Sequence, residues 1–229
     1  MSLRVDPFGP NAVLVRFAAR GELDAFTRCQ ALLRYLEQHP PVGLIESTPG
    51  MTTLLLEFEP GHCPQPEFLG AILADAARLD PDPLAQPRTV EVPVVYDGQD
   101  LDAVAARTGL PVSRCVELHA AVTYRVQILG FCPGFPYLSG LDRRLHVPRL
   151  DTPRTRVPAG SVAIGGEHTG IYPVSTAGGW NLIGRTDLRL LDPEAALADR
   201  RDAFTLHPGD LVRFVPVRHL RDQSAPPPS

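Results

Sequence analysis

The hydrophobic pattern changes character part-way along the chain, and that change constrains the fold more than any other feature. Up to residue 120, apolar side chains recur at helical spacing or in isolated short runs. From Tyr124 onward, short β-type runs alternate with Gly and Pro: YRVQILGF, SVAIGG, TGIYPV, WNLIGRT, LRLLD and LVRFVPV. Many short strands punctuated by Gly/Pro turns pack as a barrel or a sandwich. The 229 residues are enough to bury such a core without metal or disulfide staples.

The first 80 residues read differently. Residues 3–8 and 12–17 form a strand pair around Gly9-Pro10-Asn11, and 43–47 and 52–58 form another around Pro49-Gly50. A helix is expected over 22–38, where Leu23, Phe26, Leu33 and Leu36 recur at helical spacing before Pro40-Pro41. A second amphipathic helix is expected over 66–79. The order is ββαββα, an α+β domain in which two helices cover one face of an antiparallel sheet. Residues 81–88, rich in Pro, read as a linker. Residues 89–221 read as the β-barrel domain, entered by a strand over 89–96 and two helices at 101–108 and 112–120. Residues 222–229 read as a disordered tail.

Composition narrows the chemistry. Every one of the 22 cationic side chains is Arg. A Walker A Lys and a Schiff-base Lys are therefore excluded, and anion binding falls to Arg, backbone N–H groups or helix N-termini. The net charge of −4 leaves no cationic surplus for nucleic acid. The helix pair at 104–120 imitates a helix-turn-helix, but its second helix offers only Arg114, with Glu117 beside it. Cys29, Cys63, Cys115 and Cys132 form no C-x-x-C, and no zinc spacing accompanies them. They read as reduced thiols of a cytoplasmic protein, and no protein-bound metal is expected.

The densest chemistry lies in residues 130–186, where GFCPGFPYL, VPAGSVAIGG, TGIYP and GGWNLIGRT follow one another. Gly and Pro fix unusual backbone and let a ligand approach the main chain. The aromatic faces of Phe131, Phe135, Tyr137, Tyr172 and Trp180 are interleaved with Arg149, Arg154, Arg156 and Arg185. Arg clamps carboxylates and phosphates bidentately.

In this order and spacing, the four stretches resemble the family that holds the B subunits of bacterial 5-oxoprolinase and the allophanate hydrolase subunit 1-like proteins. That family also includes inhibitors of a sporulation histidine kinase. The similarity extends to PGM at 49–51, EVPVVY at 91–96 and VELH at 116–119. The resemblance implies an all-β, cyclophilin-like barrel after the small α+β domain. It implies ATP-driven opening of 5-oxoproline to glutamate. ATP and Mg would be shared with a partner, the C subunit of 5-oxoprolinase, and the A subunit would be a third component. The alternatives it leaves open are a histidine-kinase inhibitor and an allophanate or urea carboxyltransferase-like component.

The Arg-rich, Gly-rich segment at 130–186 suits a site for such chemistry. Arg154, His168 and Tyr172 are the expected catalytic residues. Phe131, Phe135, Tyr137, Arg149, Ser161, Gly178, Gly179, Trp180 and Arg185 are the expected substrate or phosphate contacts. Family members usually carry Gln where this chain has His168, so proton transfer at that position is not essential to the family's chemistry.

Overall fold

The computed structural model describes residues 3–17, 22–65, 69–70, 87–195 and 203–220. The chain divides into two compact units, Met1–Gln86 and Pro87–Ser229. The helix expected over 66–79 lies almost wholly outside the described residues, as do most of the 81–88 linker and the 222–229 tail.

In the first unit, β1 (Leu3–Pro7), β2 (Ala12–Phe17), β3 (Leu44–Pro49) and β4 (Thr53–Phe58) form an antiparallel sheet of order β1-β2-β4-β3. Strand β2 alternates Val13, Val15 and Phe17 inward, opposite Leu54, Leu56 and Phe58 of β4. Helix α1 (Glu22–Gln38) lays Cys29, Leu32 and Leu36 against that face. A half-buried strand and an amphipathic helix of matching polarity need only each other to hide their apolar faces.

The second unit is built on a seven-stranded sheet of order β12-β9-β10-β7-β6-β13-β5. Its strands are β5 (Thr89–Val94), β6 (Thr123–Leu129), β7 (Pro136–Ser139), β9 (Ser161–Gly165), β10 (His168–Ile171), β12 (Asn181–Arg185) and β13 (Leu211–Pro216). The pairing is antiparallel except between β13 and β5, which run parallel. The two edges meet: Val95 N–H donates to Arg185 O at 3.0 Å and Arg185 N–H returns to Val95 O at 2.9 Å, so the sheet nearly closes on itself. Gly184 permits this seam, since a Cβ there would lie 2.7 Å from Val95 O. The unit is not all β: helices α2 (Leu101–Thr108) and α3 (Val112–Ala120) carry Leu101, Val104, Cys115 and Leu118 into the barrel core. The run LRLLD at 188–192 forms no strand; only the Leu191–Phe204 bridge forms there.

Every residue of β9 is buried, which strand alternation alone does not explain. Val162 and Ile164 face the barrel core, whereas Ala163 faces a second apolar cluster with Phe135, Tyr172, Trp180 and Leu182. The β12-β9-β10-β7 strands are therefore covered on both faces. A two-stranded ribbon of β8 (Arg154–Val157) and β11 (Thr176–Gly178) helps to cover the outer one, with Val157 in its cluster. Among the described residues no helix is long and apolar enough to cross a membrane. All four cysteines are free thiols.

Candidate functional site

The outer cluster opens into a cavity of about 280 Å³. Its floor is aromatic. Phe135 sits at the centre, with ring centroids 5.1 Å from Tyr172, 5.2 Å from Tyr137 and 5.4 Å from Trp180. All three pairs meet edge to face, the arrangement that sets positive ring edges on negative ring faces.

Glycines make this floor possible. A Cβ on Gly165 would stand 2.8 Å from the indole of Trp180, and one on Gly170 would stand 2.8 Å from Pro136 O. A Cβ on Gly178 would collide with the Tyr172 hydroxyl. Each site needs backbone where any other residue has a side chain.

The rim is formed by Phe131 and Arg149. Phe131 is the single non-glycine residue with positive φ among the described residues, at 67°, and it is 60% exposed. The loop that holds it closes on itself: Gly130 N–H donates to Phe135 O, and Phe135 N–H to Cys132 O, both at 3.1 Å. A bulky residue in that conformation costs about 1–3 kcal/mol and persists only where its surroundings impose it. Arg149 is exposed, with its guanidinium carbon 5.8 Å from the Trp180 ring centroid. Leu150 N–H donates to Gly179 O at 2.7 Å and holds this segment against the cavity mouth.

Of the residues singled out in the sequence, Phe131, Phe135, Tyr137, Arg149, Tyr172, Gly178, Gly179 and Trp180 line the cavity together. Burial raises the Tyr172 pKa, while its hydrogen bond with the Trp180 backbone acts in the opposite sense. The phenol therefore keeps its proton near neutral pH and serves as a hydrogen-bonding wall. Cys132 packs beside the cluster, and burial raises its thiol pKa as well, which opposes thiolate chemistry.

The structure places the remaining four elsewhere. His168 lies on the β9–β10 hairpin and borders a shallower neighbouring hollow with Arg149 and Glu167, its ring 6.3 Å from Tyr137. Ser161 is buried at the start of β9, where its carbonyl accepts from Tyr172 N–H at 2.9 Å. Arg185 pairs with Asp97 at 2.9 Å on the barrel seam. Arg154 stands behind the cavity wall, donating to Asp100 Oδ1 at 2.5 Å and to Trp180 O at 3.4 Å.

Asp100 escaped the sequence reading. It precedes α2 and reads as a helix cap, yet its side chain caps nothing there. It turns instead to Arg154 and to Leu182 N–H, the latter at 2.7 Å. Pro153 and Ala177, which also line the cavity, carry no chemistry that would mark them in a sequence.

The arrangement offers aromatic faces to a flat group and one exposed guanidinium, that of Arg149, to an anion. Arg149 is the one cation lining the cavity among the described residues. Among those residues no group of three or more His, Cys, Asp or Glu could hold a metal ion.

Residues 3–198 match the family described as carboxyltransferase domain, subdomain C and D. The chain is 43% identical over 216 residues to the 5-oxoprolinase B subunit of Escherichia coli O157:H7, covering 92% of this chain and 94% of that protein. It is 34% identical to the 5-oxoprolinase B subunit of Bacillus subtilis, covering 93% of this chain and 92% of that one. Among solved structures it is similar to TTHA0988, with a TM-score of 0.75 and 38% identity over 95% of this chain; it spans only 41% of that longer chain. The matched span and these identities establish that the chain belongs to the carboxyltransferase-domain family of subdomains C and D, alongside the 5-oxoprolinase B subunits.

Proposed function

We propose that this chain is the B subunit of an ATP-dependent 5-oxoprolinase, which opens 5-oxoproline to L-glutamate in the cytoplasm together with the C and A subunits. The observation that carries the reading is the 43% identity to a protein of that name over nearly the whole of both chains. The relatives' names do not favour the histidine-kinase inhibitor. We likewise assign the barrel to the cyclophilin-like type and retain the division into 1–80, a linker at 81–88 and 89–221.

The chemistry of the cavity supports the substrate class. 5-Oxoproline is a nearly flat five-membered lactam bearing one carboxylate. Its ring suits the faces of Trp180 and Phe135, and its carboxylate suits Arg149. In this reading the Tyr172 hydroxyl supplies a hydrogen bond to the lactam oxygen. The lactam is stable in water, so hydrolysis must be coupled: 5-oxoproline, ATP and two waters, one for the amide and one for the phosphoryl group, give glutamate, ADP and phosphate. One lining cation is too few to neutralise a triphosphate. The nucleotide and its Mg are accordingly assigned to a partner chain, with this chain holding the amide.

The test is co-expression with candidate A and C subunits, followed by measurement of glutamate formed from 5-oxoproline and ATP. Glutamate that appears only when this chain is included supports the proposal. A stable complex that leaves 5-oxoproline untouched overturns it. Arg149→Ala should raise the KM for 5-oxoproline about tenfold or more, the order expected for loss of a charge-assisted contact.

A further inference from the structure

We infer that Asp100 and Arg154 form a brace that positions the Trp180 wall of the cavity, making both of them positioning residues; this rests on the reading that the cavity takes the substrate. Asp100 is only 8% exposed. Burying a carboxylate is costly unless its oxygens are satisfied, and an apolar pair of similar size would be at least as stable. Both oxygens are used. Oδ1 accepts from Arg154 Nη2, and Oδ2 accepts from Leu182 N–H.

Leu182 borders the register shift where β12 pairs with β9. At such a shift a backbone donor is liable to lose its ladder partner, and here the carboxylate supplies an acceptor from outside the sheet. Arg154 extends the connection to the tryptophan itself, because its Nη1 donates to Trp180 O. With the Gln99 amide assigned oxygen-inward, Gln99 accepts from Arg154 Nε and, at 3.0 Å, from Nη2. All three guanidinium nitrogens then have partners, which leaves Arg154 ill-suited to grip a ligand.

The intervening residue is pinned as well. Asn181 Nδ2 donates to Pro148 O at 2.9 Å and to Ile164 O at 3.3 Å. The stretch from Trp180 to Leu182 is thus held by side chains from the barrel seam and from β8, together with its own Asn181. Sites tolerate little play, and supporting shells of this kind keep a binding wall in register.

Trp180 is the only tryptophan of the chain, so its emission reads the cavity wall directly. The experiment compares Asp100→Asn, Arg154→Gln and the double variant Asp100→Asn/Arg154→Gln. Melting temperature and Trp180 emission are measured on the chain alone, and kcat and KM for 5-oxoproline on the co-expressed complex. Asp100→Asn strands the Arg154 charge and should lower the melting temperature most; the double variant removes that charge and should recover most of the loss. Positioning predicts that the double variant still shows red-shifted emission and a KM raised about tenfold. Return of emission and KM to wild-type values along with the melting temperature would show a purely structural pair and overturn the inference. If the wild-type complex forms no glutamate, the substrate reading falls, and emission alone decides: a persistent red shift supports the brace, and wild-type emission removes it.

Discussion

On the inner face of the barrel, His119 is enclosed by Tyr96, Tyr124, Phe214 and Thr169; on the outer face, Phe135, Tyr172 and Trp180 surround an open cavity. The two clusters use the same kinds of residue to opposite ends. Around His119 every polar atom has a partner. Thr169 Oγ1 donates to Ala163 O at 3.0 Å, so it accepts from His119 Nε2–H at 2.9 Å. His119 Nδ1 must then accept from the Tyr96 hydroxyl, at 2.7 Å. Phe214 stacks on the ring with centroids 4.5 Å apart. A void of only about 10 Å³ remains there. The outer cluster instead leaves a cavity, an exposed strained Phe131 and an exposed Arg149 at its rim.

The comparison bears on how shifted titrations are interpreted. Burial pushes His119 down to about 3. A perturbed histidine in a cleft is often a sign of function. Here the cause is enclosure in a fully bonded core, where His119 is only 1% exposed. The cavity owes its chemistry to geometry and to one exposed cation instead.

The contrast can be broken most forcefully at His119. His119→Ala should cost about 3–5 kcal/mol, as for other large buried rings, since it also strands the Tyr96 hydroxyl. Urea unfolding of the second unit would show it, and a loss below about 1 kcal/mol would mean the inner cluster is not the close-packed core described.

The next effect is on pH dependence. The folded pKa of His119 lies below its unfolded value near 6.5, so the unfolded chain binds more protons between about pH 6.5 and 3. This contribution to stability is full above pH 6.5 and falls by about 1.4 kcal/mol per pH unit as the pH drops through that window. His119→Gln should flatten the slope in urea titrations between about pH 7 and pH 5. An unchanged slope would remove His119 as its origin.

At the cavity, Gly178→Ala sets a methyl against the Tyr172 hydroxyl, which is buried and cannot swing clear. Overpacking of this kind costs about 1–3 kcal/mol. It should also weaken binding of 5-oxoproline at least about tenfold relative to the unaltered protein, measured by calorimetry below the melting temperature of both, the readout that separates blockage of the cavity from simple destabilisation.

The smallest stability effect is expected at the rim. Phe131→Gly relieves the positive φ while losing little packing, so stability should change by less than about 1 kcal/mol. Activity of the complex should nonetheless fall, because the aromatic edge over the cavity is gone. Full activity would show that the rim aromatic has no part in the site.

Local patterns carried much of the architecture. Strand β2 and helices α1, α2 and α3 have the limits expected from periodicity and from Pro and Gly stops. The β8–β11 ribbon was not legible, because RTRV and TAG are short and mostly polar, and only a partner sheet makes them strands. The run LRLLD misled for the converse reason, since an apolar stretch becomes a strand only where an edge is free to pair with it.

By itself, the sequence determined the helices at 22–38, 101–108 and 112–120 and the longer strands, the crowding of Gly, Pro and aromatic residues into 130–186, and the family resemblance. These are short-range properties, set by backbone preference and by one-dimensional hydrophobic spacing. The tertiary structure decided which aromatics enclose a core and which line a cavity. It also turned Arg154 from a candidate ligand contact into the partner of a carboxylate 54 residues earlier. The physical reason is the closure of the sheet at Val95 and Arg185: it carries Asp100 alongside β12, and a buried charge takes whichever counter-charge the closed barrel brings within reach.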